Sequence, residues 1–375
     1  MSTCALCDNK ITSANDSKEH IIPQSIGGRE KVRGFICRAC NNTTGETWDA
    51  KLASQYNWFS VALNIKRESG SPPSHHVQTV DGQGLLLHAD GTTSPDKPVF
   101  TKTKTPDGYQ ISVKARTMAE ARKILKGIQR EYPKTDVEKT LADAVIEGTY
   151  TEEPIKTLFQ FGGELAGRSF VKTAVAMAFD IGIDPQECDF ALCYLKNTAV
   201  TPAYAEFHLR DLVANRPPNQ LFNSVTVSGN PTENRLTAYI EYFGVTRIVI
   251  HLSQTYTGPS VHKTYAFDPV TGQRIHLDVD LNLSDEEYAL SLANKTRLDG
   301  SVVKAFDYAM PILLKSIYAR QDEKVLNDAI MEAFEAMGIR PDGELAPEQI
   351  PAFTAYLTNK ITPYLMQVIK NRPKL

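Results

Sequence analysis

The spacing of apolar residues changes several times along this chain, and each change predicts an element. From Met118 to Glu131 the residues Ala121, Ile124, Leu125 and Ile128 recur every three or four positions, as one helix face requires. A nearly continuous apolar stretch from Glu164 to Phe179 predicts a long helix, and Thr44, Trp48 and Leu52, four apart, predict another after Cys40. Short runs predict strands at Val77–Val80, Leu85–His88, Val99–Lys102 and Tyr109–Val113, with turns at Asp81-Gly82, Asp90-Gly91 and Asp107-Gly108. Further strands are expected at Ser224–Val227, Leu236–Tyr242, Thr246–Leu252 and Lys263–Phe267. Three helices are expected near Asp299–Ala319, Glu323–Met337 and Pro347–Ile369.

These elements divide the chain. Residues 1–68 form a first module, and 69–76, opening with Ser69-Gly70-Ser71-Pro72-Pro73-Ser74, read as a linker. Residues 77–150 read as a small α+β region with a basic helix, and 151–375 as a mixed α/β region ending in helices. Pro217-Pro218 marks a break within the last region. The expected class is α+β.

The chain has 375 residues, enough for two or three domains, with 42% apolar and 23% charged residues as in ordinary globular proteins. A net charge of −3 confines any nucleic-acid surface to a local patch. No apolar run approaches the roughly 20 residues of a membrane helix, and no basic-then-apolar leader opens the chain. A cytoplasmic protein without membrane attachment is expected. Four of the six cysteines form two pairs, Cys4/Cys7 and Cys37/Cys40, which favours metal over disulfides. Cys188 and Cys193 are expected to be buried thiols.

Two Cys-x-x-Cys pairs supply four sulfurs from two tight turns, as a tetrahedral structural zinc requires. That zinc then has no need of His20, which lies between the pairs beside Glu19. A histidine titrating near neutral pH suits the deprotonation of water. A carboxylate and an amide oxygen suit Mg²⁺ or Mn²⁺, and Asn41 follows Cys40 at the start of the expected helix. Asn42 is an alternative to Asn41. Asp49 lies eight residues beyond Asn41, about 12 Å along a helix, and is expected at the surface or behind the metal ligands.

Glu19-His20-Ile21-Ile22-Pro23, the turn Gly27-Gly28, the run from Cys37 to Asn41 and the following Gly45 resemble the HNH endonucleases, the zinc-bearing ββα-metal nucleases. The resemblance covers roughly residues 1–55. It implies a β-hairpin with His20 on its first strand, a helix starting near Asn41 and one catalytic divalent ion. By that resemblance His20 is the general base, Glu19 a metal ligand and Asn41 the ligand on the helix. The family's central asparagine, expected near Val32, is missing, so His20 would be oriented otherwise, for instance by a backbone carbonyl.

The implied function is metal-dependent hydrolysis of DNA phosphodiester bonds. The remaining residues would choose when or where to cut, as in restriction or anti-phage nucleases, through recognition, an activating ligand or homo-oligomerisation. The alternative is a non-catalytic zinc module that binds nucleic acid or a protein. Lys31, Arg33 and Arg38 stand near the expected site as phosphate contacts. Arg122, Lys126 and Arg130, four apart, form a basic stripe on the Met118–Glu131 helix that either tracks a phosphate backbone or is a solvated face.

Overall fold

The computed structural model describes residues 2–106, 108–145, 153–197, 201–294, 300–340 and 343–372. Asp107 of one expected turn, Asp299 at one expected helix start and the expected boundary near residue 150 lie outside them. The architecture is mixed α and β, with an N-terminal ββα region and a helical C-terminus. Two compact units are present: Met1–Pro73 with Phe159–Ile317, and Ser74–Leu158 with Tyr318–Leu375. Among the described residues no helix is long and apolar enough to cross a membrane.

The first unit opens with the antiparallel hairpin of β1 (Asp16–His20) and β2 (Lys31–Cys37). Between them, Gly27 adopts φ +95°, and a Cβ on Gly28 would lie 1.8 Å from the Ile22 carbonyl oxygen, so the expected Gly27-Gly28 turn needs both glycines. The chain then enters α1 (Arg38–Thr44), passes through a π-helical turn at Gly45–Asp49 and continues as α2 (Ala50–Ala62). The π turn inserts extra backbone between Thr44 and Leu52. Those two remain buried, while Trp48 is rotated to a half-buried position beneath Arg168.

Behind this module stands a four-stranded antiparallel sheet, ordered Thr246–Ser253, Arg235–Tyr242, Asn223–Asn230, Val261–Phe267. The helix Glu164–Asp180 is buried without interruption from Ala166 to Ala178, as its apolar run predicts. Tyr56 and Phe59 of α2 pack against Phe161 and Phe243, and the Tyr56 ring also meets Phe170 and Tyr242 edge-on. The Tyr56 hydroxyl bonds Thr246 Oγ1 at 2.5 Å, and Asn223 Nδ2 donates to the Ile26 carbonyl at 2.7 Å. Truncating a fully buried ring of this kind costs about 3–5 kcal/mol.

In the second unit the strands Thr93–Pro95, Gly84–Leu87, His75–Thr79 and Ile155–Lys156 form an antiparallel sheet, and Val99–Thr105 pairs with Gly108–Lys114. The helix Met118–Glu131 has the expected bounds, because Thr117 caps it by accepting from Glu120 N–H and Leu125 and Ile128 pack on Val137 and Leu141.

Two expectations are corrected. Asp299–Ala319 and Glu323–Met337 are one helix, Gly300–Ala336, because the intervening Arg320-Gln321-Asp322 contains no breaker. Cys188 is buried but Cys193 is exposed, because its helix, Asp189–Leu195, turns only part of its surface inward.

Candidate functional site

The two cysteine pairs converge because Cys4 and Cys7 lie on a turn before the hairpin, whereas Cys37 ends β2 and Cys40 lies in α1. All four Sγ atoms lie within 4.8 Å of one another, and those of Cys7 and Cys37 are 3.7 Å apart. Tetrahedral zinc–thiolate bonds of about 2.3 Å place sulfurs about 3.8 Å apart, so the cluster fits a structural zinc. The Cys37 N–H donates to Cys4 Sγ at 3.3 Å.

Strand alternation sends Glu19 and His20 to opposite faces of β1. In the ladder His20 stands opposite Lys31 and Lys18 opposite Arg33, so these four share one face. His20 lines a cleft of about 490 Å³ with Arg29, Lys31, Lys66, Arg67 and Glu68. Four cations against one carboxylate make it suited to an anion. Glu68 forms an ion pair with Lys31, and its Oε1 lies 3.9 Å from His20 Nε2. Burial, reinforced by Lys31 and opposed by Glu68 and Asp49, pulls the His20 pKa down to about 4. The imidazole is therefore neutral at pH 7, but it titrates below the near-neutral range expected from the sequence and is a weaker base for it. Val32, where the family's central asparagine was expected, is buried opposite Glu19.

On the other face Glu19 is 4% exposed. Its Oε1 is 2.5 Å from Lys172 Nζ, and that ammonium is 2.6 Å from Asp49 Oδ2 and 3.5 Å from Thr44 Oγ1. Ser169 Oγ donates to Asp49 Oδ1 at 2.6 Å. Burial alone would lower the Lys172 pKa, but Asp49 and Glu19 outweigh it and hold the ammonium charged. Taking these groups out of water costs roughly several kcal/mol per ion, which only close pairing offsets. Asp49 is thus only partly exposed, held by Lys172 and Ser169 rather than free at the surface.

Asn41 lies in the first turn of α1, one residue past Cys40; it is half-buried, whereas Asn42 is exposed. A carboxylate oxygen and an amide oxygen are the donor types that Mg²⁺ or Mn²⁺ takes; of the Glu19 oxygens, Oε1 is held by Lys172. Of the expected phosphate contacts, Lys31 lies in the His20 cleft. Arg33 pairs with Asp16 at 3.2 Å, and Arg38 is exposed at the start of α1. Arg122, Lys126 and Arg130 belong to the second unit, and Arg122 is paired with Glu138.

Arg29, Lys66, Arg67, Glu68, Ser169 and Lys172 were not foreseen from the sequence. One signal was present: Lys172 is the sole charged residue between Phe170 and Phe179, and a lysine in an otherwise apolar stretch needs buried partners. No curated protein and no solved structure was found to match the chain. Residues 4–57, the segment holding the cysteine cluster, Glu19, His20, Asn41 and Asp49, match the HNH endonuclease family model, so the N-terminal module is an HNH endonuclease module.

Proposed function

We propose that this protein is a metal-dependent DNA endonuclease whose centre is built on Glu19, His20 and Asn41. The observation carrying this reading is a neutral, half-buried His20 facing a cleft lined by Arg29, Lys31, Lys66 and Arg67. In the proposed reaction a ring nitrogen of His20 takes a proton from a water, the water oxygen bonds to the scissile phosphorus, and the bond to the leaving oxygen breaks. Arg29, Lys66 and Arg67 hold the phosphates flanking the cut and compensate their charge, while Lys31 is paired with Glu68. Glu19 and Asn41 would hold Mg²⁺ or Mn²⁺, which supplies charge neutralisation at the phosphate and leaving group. Zinc held by Cys4, Cys7, Cys37 and Cys40 fixes α1 against the hairpin.

Much of the chain lies outside the nuclease module, and a free-standing cutter needs no such additions. We therefore assign the rest to recognition or control, as in restriction or anti-phage defence, with Arg122, Lys126 and Arg130 as a second DNA contact. The deciding experiment is cleavage of supercoiled plasmid with Mg²⁺ or Mn²⁺ by wild type and His20→Ala. Cutting by wild type alone is expected. Equal cutting by both would remove His20 from the mechanism, and binding without cutting by either would favour a non-catalytic zinc module.

A further inference from the structure

We propose that Lys172 is a positioning residue of the nuclease centre, reaching in from the helix Glu164–Asp180 to fix the carboxylates of Glu19 and Asp49 for divalent-cation binding. This rests on the nuclease reading above, but Lys172 lies far outside the family segment 4–57. Its three N–H donors have three acceptors: Glu19 Oε1 at 2.5 Å, Asp49 Oδ2 at 2.6 Å and Thr44 Oγ1 at 3.5 Å. Ser169, three residues earlier on the same helix, takes the other Asp49 oxygen at 2.6 Å. Asp49 is therefore engaged through both oxygens and serves as a clamp. Glu19 is engaged by Lys172 through Oε1, which leaves Oε2 as the oxygen for a cation.

Charge and rigidity support this role. Two carboxylates share a single ammonium in a largely buried setting. Lys172 is 1% exposed on a helix buried from Ala166 to Ala178, so its ammonium has no room to swing away. Stability alone does not account for the cluster, because buried ion pairs replaced by apolar side chains of similar volume often leave a fold as stable or more so. Groups that hold a metal ligand from behind, by contrast, typically change metal affinity by about 10- to 100-fold when removed.

The test is Mn²⁺ titration of the full-length, zinc-loaded chain, followed by electron paramagnetic resonance, for wild type, Lys172→Met, Lys172→Arg and Asp49→Asn. Wild type should bind one Mn²⁺ beyond its zinc. Lys172→Met, which leaves Glu19 and Asp49 without their ammonium, should lower the melting temperature but keep its zinc and bind Mn²⁺ at least about tenfold more weakly, with Lys172→Arg recovering most of the loss. Asp49→Asn, which keeps the shape and one acceptor, should weaken binding in the same direction and stands in if Lys172→Met does not fold. Binding as tight or tighter in these variants, or no Mn²⁺ binding by wild type, overturns the proposal. Plasmid cleavage measured alongside separates the two readings. The expected Mn²⁺ pattern without cutting by wild type keeps Lys172 in its role and removes the nuclease reading; cutting that Lys172→Met leaves unchanged does the reverse.

Discussion

His20 Nε2 stands 3.9 Å from Glu68 Oε1, and the same carboxylate is paired with Lys31. An internal anion thus stands among the cations of the cleft, beside the candidate base. Glu68→Gln should release Lys31 for a phosphate and tighten DNA binding about three- to tenfold at low salt. The slope of log affinity against log salt should steepen by about 0.9, the value for one added phosphate contact. Fluorescence anisotropy with duplex DNA in a His20→Ala background reads both. An unchanged slope would mean that Lys31 makes no phosphate contact.

Zinc is expected to be a main source of order in the N-terminal module, since metal binding to small zinc modules is worth about 10–16 kcal/mol in apparent terms. Cys37→Ser, or chelation, should release the zinc and unfold the hairpin and α1. A thermally stable, zinc-replete Cys37→Ser chain would refute the four-thiolate site.

His251 predicts a pH dependence of stability. It is fully buried, bonded through Nε2 to Ser291 Oγ at 2.9 Å and packed edge-on against Tyr288. Burial, aided by the nearby Arg235, lowers its pKa from 6.5 to about 4. The unfolded chain therefore binds a proton there that the native chain does not. The contribution is complete above pH 6.5 and is lost as pH falls towards 4, amounting to about 3 kcal/mol. Melting temperatures between pH 7 and 5 should fall, and His251→Gln should flatten that fall even if it lowers stability at pH 7. An unaltered slope would assign the pH dependence elsewhere.

Charge reversal at Arg122, Lys126 and Arg130 tests the basic helix of the second unit. If the stripe tracks a phosphate backbone, Arg122→Glu/Lys126→Glu/Arg130→Glu should weaken DNA binding and reduce its salt dependence by up to about three phosphate contacts. The Arg122–Glu138 pair makes a smaller effect expected at Arg122 than at Lys126 or Arg130. Unchanged affinity would leave the stripe as a solvated face.

What could be read from the sequence was local. Cys4, Cys7, Cys37 and Cys40 announce their cluster because each pair has the same short spacing, although only the first sits in a turn; the second spans the junction of β2 and α1 rather than the expected turn. Met118–Glu131 is bounded correctly because its cap, Thr117, and its apolar period agree. Long-range pairings leave no such trace. Lys172 meets Glu19 across 153 positions, and nothing periodic links them; only an unexplained lysine in an apolar run hints at it. Arg67 and Glu68 lie in a polar turn without a motif, and they enter the His20 cleft only because the chain folds back after α2. The merged C-terminal helix was missed because the polar stretch Arg320-Gln321-Asp322 resembles a break although it is continuous, partly buried helix.

The span between Glu19 and Lys172 also has a consequence in time. At about 5–20 residues per second, a ribosome needs about 8–30 s to extend the chain from one to the other. Throughout that interval the zinc-held hairpin can already exist, while Glu19 and Asp49 still lack the ammonium they share in the finished protein. A chain aborted before this helix emerges carries every residue of the family segment but lacks the ammonium that Glu19 and Asp49 share.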